Sequence, residues 1–137
     1  MPQLTGDRPG MGYESFVCAH TPGRSRWNGG GRHGVFDHMK EHGAGAGIRQ
    51  EHPTTKPIAL MCELVSLFTD PDDVILDPFA GSGTTGVAAL RLGRRAILIE
   101  KDPAFAMIAV ERMTAEGRGS TLRDLRAGQV AMFGGKR

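Results

Sequence analysis

The feature that most constrains this chain is a three-residue apolar run, Val74-Ile75-Leu76, that leads straight into Asp77-Pro78-Phe79-Ala80-Gly81-Ser82-Gly83-Thr84-Thr85-Gly86. A short apolar run bounded by turn residues reads as a buried strand. The glycines at 81, 83 and 86 break that strand into a tight turn. Val87–Leu92 then reads as a helix stopped by Gly93, and Ala96–Ile99 as a second buried strand. Pro103 to about Thr114 suits another helix, with Phe105, Ile108, Ala109 and Met113 on one face. Upstream, Pro57 fits a helix first turn, and Ile58, Met61, Leu64, Val65 and Phe68 recur at helical spacing. Asp70-Pro71-Asp72-Asp73 ends that helix. Strand, glycine turn, helix, strand, helix is the βαβ order of an α/β fold on a parallel sheet. The expected core therefore spans 51–116.

The flanks differ from this core. Of the 20 glycines, 11 fall in residues 1–50, including Gly29-Gly30-Gly31 and Gly43-Ala44-Gly45-Ala46-Gly47. Such a segment reads as irregular, with one short strand expected at Tyr13–Ala19. Residues 117–137 form a tail in which Leu122–Phe133 suits a last short helix. At 137 residues the chain is one small domain. It has no 18-residue apolar run and no charged-then-apolar leader, so a membrane protein is not expected. Cys18 and Cys62 make no disulfide framework, which points to the reducing cytoplasm. Net charge is only +2, and residues 51–137 balance 11 basic against 11 acidic side chains. The electrostatic hint of a polyanion is thus local: Arg24, Arg26 and Arg32, in a glycine-rich stretch without an acid.

The turn contains G-x-G-x-x-G, and Glu100 lies 17 residues beyond Gly83, near the spacing at which an acid grips a ribose. A dinucleotide is the first ligand to weigh. Asp77 argues against it, because a carboxylate beside the turn repels a pyrophosphate. A phosphate P-loop is also disfavoured, since no lysine follows the turn. S-adenosylmethionine (SAM) fits better: it has no phosphate and carries a sulfonium, an ammonium and one carboxylate. Asp77 can accept from the ammonium. The helix N-terminus after Gly83, with the Ser82 and Thr84 hydroxyls, suits the carboxylate. Glu100 has two oxygens for two ribose hydroxyls.

Residues 77–85 resemble the SAM motif of the N4-cytosine/N6-adenine DNA amino-methyltransferases. His52-Pro53-Thr54-Thr55-Lys56-Pro57 resembles the segment that precedes this motif in the β-class order, and Ile99-Glu100-Lys101-Asp102-Pro103 the motif that follows. The resemblance covers about residues 52–113. It implies a partial Rossmann-like SAM-dependent methyltransferase fold. It assigns Thr54, Thr55, Lys56, Asp77, Pro78, Phe79, Ala80, Gly81, Ser82, Gly83, Thr84, Glu100, Lys101 and Asp102 to the cofactor. It further implies double-stranded DNA as substrate, with a restriction-modification or phage setting.

The family's [DNS]-P-P-[YFW] tetrapeptide is absent, so no catalytic residue is assigned. That motif polarises the exocyclic amine and stacks the flipped base. In the β-class order it comes before the target-recognition region, and the chain reads as if it begins within that region. A separately encoded N-terminal half is one way to complete it. The alternative is a non-catalytic module that holds SAM or DNA.

In that order Arg24, Arg26, Trp27 and Arg32 stand where DNA contact is expected: arginines for phosphates, Trp27 for a base. The alternative is a solvated loop. His38 and His42 are four apart, but no C-x-x-C or H-E-x-x-H pattern accompanies them, so no metal is expected. Gln129–Phe133 resembles the short peptides that bind bacterial sliding clamps, with docking on its own domain the favoured alternative.

Overall fold

A computed structural model describes residues 14–23, 26–38 and 55–120. The ordered part is three helices and two strands: α1 (Ile58–Phe68), β1 (Val74–Asp77), α2 (Thr84–Arg91), β2 (Arg95–Leu98) and α3 (Pro103–Gly117). The strands pair in parallel, with Val74 opposite Arg95 and Asp77 opposite Leu98. This is a partial Rossmann-like unit, as expected. No helix among the described residues is long and apolar enough to cross a membrane.

The core is organised around α2, which packs against α1, α3 and both strands. Its buried side chains are small: Thr84, Gly86, Val87, Ala88 and Ala89, the two alanines without exposed surface. Small side chains let three neighbours approach one short helix at once. A Cβ at Gly86 would lie 2.7 Å from Leu98 Cδ1 and 2.8 Å from Met113 Sδ. The helix begins at Thr84, three residues before the expected Val87, so Gly86 lies inside it. The close approach of Leu98 and Met113 accounts for a glycine at that helical position.

The hinge of the turn is Gly83. It caps α2 with φ at +78°, in the left-handed region that favours glycine. A Cβ there would lie 2.7 Å from Ala109 Cβ and 2.9 Å from Ala109 Cα. Between α1 and β1, Asp72 adopts φ +68° after Pro71, and Asp73 N–H donates to the Asp70 carbonyl at 3.2 Å. Positive φ at the residue after proline is the signature of a type II turn.

Two expectations about strands need correction. Both strands were expected to be buried, yet the described residues cover only one face. Ile75, Ala96 and Leu98 lie half-buried on the α2 side, while Val74, Leu76 and Ile97 are each roughly half-exposed on the other. No described element packs on that second face. The second strand ends at Leu98, although Ile99 N–H still bonds the Asp77 carbonyl at 2.9 Å. Residues 14–19 of the strand expected at Tyr13–Ala19 are irregular and have no strand partner among the described residues. Phe16 there meets the Phe36 ring instead, at 5.4 Å between centroids.

The segment 26–38 is tied to α1 through backbone and side chains. Asn28 N–H donates to the Leu67 carbonyl at 2.8 Å. Its side-chain amide reaches the Ser66 and Thr69 carbonyls, each at 3.1 Å. These are carbonyls that a helix end leaves without partners. Arg94 adds a guanidinium at the same end, 2.8 Å from the Thr69 carbonyl. Trp27 packs on Phe68, and Gly29 sits so close to Trp27 and Leu67 that a Cβ has no room. Arg26 pairs with Asp70 and Asp73, and Glu63 pairs with Arg32 and His38.

Gly83→Ala should destabilise the fold by about 2–4 kcal/mol in a denaturant titration, combining left-handed strain with displacement of α3. A loss below about 0.5 kcal/mol would contradict the contact with Ala109. The Glu63 carboxyl is held below its ordinary pKa by hydrogen bonds from His38 and then Arg32. Asp73 is held down by the Asp70 N–H and then Arg26. Both groups are depressed, so their stabilisation is complete above the ordinary carboxylate range and is lost as pH falls through the lower folded values. Emission of Trp27, the chain's one tryptophan, should therefore hold steady from neutral pH to about 5 and change below about 4. In Glu63→Gln part of that acid step should disappear.

Candidate functional site

The site grows from the ends of the two strands. Beyond β1, the Asp77 carboxylate accepts from Phe79 N–H at 3.0 Å, a short-range bond that bends the chain. Ala80 N–H donates to the Ile99 carbonyl at 3.0 Å, and Gly83 N–H to the Ala80 carbonyl at 2.8 Å. The loop is thus pinned to the residue that follows β2. Gly81, at φ +53°, turns its N–H toward Glu100.

Glu100 joins the two strand ends. One carboxylate oxygen accepts from Gly81 N–H at 2.7 Å, the other from Asp102 N–H at 2.8 Å. Asp102 in turn caps α3, accepting from Ala104 N–H at 2.8 Å with Pro103 in the first turn. The residues alone assigned these oxygens wholly to a ligand; the structure gives them a backbone role as well.

Together these groups rim an open cavity of about 740 Å³ at the carboxyl ends of the strands. Of the residues singled out in the sequence, Thr55, Lys56, Asp77, Phe79, Ala80, Gly81, Ser82, Thr84, Glu100, Lys101 and Asp102 line it. Pro78 and Gly83 shape the loop without lining the cavity. Thr54 lies outside the described residues. The charges around the rim are Asp77, Glu100 and Asp102 against Lys56 and Lys101, and Lys56 is itself paired with Glu14. Among the described residues the rim is therefore net acidic. Phe79 presents an almost bare ring, 89% exposed.

Sequence reasoning did not find every contributor. Met61 and Phe105 add apolar walls, and Thr85 adds a hydroxyl. Their helical periodicity marked Met61 and Phe105 as core, and nothing local distinguishes a core wall from a cavity wall. Arg112 was also missed. It reaches from α3 to the Ser82 carbonyl at 2.7 Å and to the Ser82 and Thr84 hydroxyls at 2.9 and 3.1 Å.

The residues suggested for DNA sit elsewhere. Arg26 and Trp27 border a second cavity of about 560 Å³, walled by Phe16, Phe36 and Phe68. Both have partners within the chain: Arg26 the carboxylates near the α1 end, Trp27 the Gly30 carbonyl at 2.6 Å. Arg32 pairs with Glu63 and lies over the Phe36 ring, 5.5 Å from its centroid. Arg24 and Gln129–Phe133 fall outside the described residues.

Comparison with known proteins finds relatives over about half of the chain. The type II methyltransferase M2.DpnII of Streptococcus pneumoniae is 50% identical over 66 residues, covering 48% of this chain and 25% of that protein. The methylase YubD of Escherichia coli K12 is 45% identical over 69 residues, covering 50% of this chain and 30% of that protein. The chain thus spans less than a third of the length of these curated relatives. Among solved structures, the M1.HpyAVI–SAM complex matches with 45% identity and a TM-score of 0.46, over 47% of this chain and 32% of that one. The model of the N6/N4 methyltransferase family, described as DNA methylase, matches residues 23–111, more than half of the sequence. This chain belongs to the N6/N4 DNA methylase family.

Proposed function

We propose that the chain is the SAM-binding portion of a DNA amino-methyltransferase acting on adenine N6 or cytosine N4. The observation that carries this reading is the acidic cavity at the strand ends, where Asp77 and Glu100 flank a glycine loop that opens a helix. Volume and lining suit a small molecule of this size. The excess of carboxylates suits a ligand of net positive charge and opposes a pyrophosphate. Asp77 would hold the ammonium. The α2 N-terminus with Ser82 and Thr84 would take the carboxylate. Glu100, whose carboxylate lines the cavity, would accept from the ribose hydroxyls. Phe79 would offer its exposed ring to the ligand. When bound, SAM supplies an electrophilic methyl group for the amine of a flipped base.

The chain's own residues bind and orient in this scheme, and the [DNS]-P-P-[YFW] tetrapeptide that would present the amine is absent from the sequence. We therefore propose that a separately encoded N-terminal half completes the enzyme on double-stranded DNA in the cytoplasm. The open sheet face of Val74, Leu76 and Ile97 supports a complementing polypeptide, because parallel sheets are ordinarily covered on both faces. A clamp contact through Gln129–Phe133 belongs to the same proposal. The absent tetrapeptide favours a second reading, a SAM- or DNA-holding module without chemistry.

Calorimetric titration of the full chain should show saturable SAM binding and none of NAD; binding of NAD alone would reject the scheme. Glu100→Ala should cost about 1–3 kcal/mol of SAM affinity, by leaving hydroxyls unpaired and freeing the loop amides. Unchanged affinity would displace the ribose from Glu100. Methyl transfer from labelled SAM to DNA by the chain alone would remove the need for a second half.

A further inference from the structure

Arg112 is a charged side chain that the scheme above does not use. It lies on α3 one turn from Ala109, the residue packed against Gly83, so both reach the same loop. One guanidinium nitrogen donates to the Ser82 carbonyl and to both the Ser82 and Thr84 hydroxyl oxygens. Those two residues are buried, at 7% and 6% exposure, yet both line the cavity. Among the described residues no carboxylate pairs with Arg112. Burial pushes its pKa down, and the nearby Arg91 charge acts in the same direction.

The hydroxyls matter for what they have left to give. A hydroxyl that accepts from a guanidinium keeps one proton to donate. Neither the Ser82 nor the Thr84 proton has an acceptor among the described residues. A positive charge behind them strengthens them as donors, and they stand at the N-terminus of α2, which also favours an anion.

We infer that Arg112 is a positioning residue that sets the Ser82 and Thr84 hydroxyls as donors to a carboxylate, making the loop selective for ligands that carry one. This rests on the cofactor reading above and deepens it. Arg112 does not touch the ligand; it acts through the two hydroxyls.

The test compares SAM with decarboxylated SAM, which keeps the adenosine, sulfonium and amine but lacks the carboxylate. Calorimetry on the full-length wild-type chain should show SAM preferred by about tenfold or more. Arg112→Met should erase that preference while changing the affinity for decarboxylated SAM by less than about twofold, and Arg112→Lys should restore part of it. Equal losses for both ligands would reduce Arg112 to a structural prop and overturn the inference alone. No preference in the wild type would do the same. A wild type that binds neither ligand would bring down the cofactor reading and the inference with it. If Arg112→Met fails to fold by circular dichroism, Arg112→Gln, which keeps a donor without the charge, takes its place: a reduced preference supports the relay, and an unchanged preference overturns it.

Discussion

The structure depends on how closely α3 approaches the glycine loop. Ala109 lies where a side chain at position 83 would have to be, and Arg112 grips the loop one turn later. With that seat in place, Gly83 takes a left-handed φ and Thr84 starts the helix. The hydroxyls, the free amides of α2 and the cavity floor follow from it. Glu100 performs the matching task from the other side, binding the loop amide of Gly81 to the start of α3. A ligand in this cavity would meet groups already held in place, which lowers the ordering cost of binding.

Much of this is legible in the chain itself, and what is not has physical causes. The order of elements from Ile58 to Gly117 follows from apolar periodicity and from glycine and proline punctuation. Most of the cavity rim follows from residues local to the strand ends, because the ends of adjacent parallel strands converge. Long-range contacts left no local trace. Arg112 looks like any helix arginine until α3 folds back over Ser82. Met61 and Phe105 obey the same spacing rule as core residues and differ only in having a cavity beside them. The openness of Val74, Leu76 and Ile97 was hidden for another reason: an apolar strand reads as buried whether or not the covering element is at hand.

The glycine-rich front shows how one residue set can carry two meanings. Arginine, tryptophan and asparagine between glycines form a pattern suited to nucleic acid, and also suited to closing off a helix end. In the fold, Asn28 caps the carbonyls of α1, Trp27 leans on Phe68, and Arg26 and Arg32 find carboxylates. Gly29 permits this by letting backbone lie against Trp27 and Leu67 where a methyl group would not fit. Those ion pairs are surface-exposed and so individually weak. The segment is held by the helix cap and the ring contact, with the charges adding register.

The half-covered sheet has a consequence for the order in which such a protein is made. Among the described residues, the contacts given above that shape the loop come from the stretch between β1 and α3, which is continuous along the chain. Contacts between chain neighbours form early, because little loop-closure entropy stands in the way. The covered face can therefore zip up from a short stretch of newly synthesised polypeptide. Nothing in the loop's own construction calls on the other face, so whatever covers it would add to a site that is already shaped.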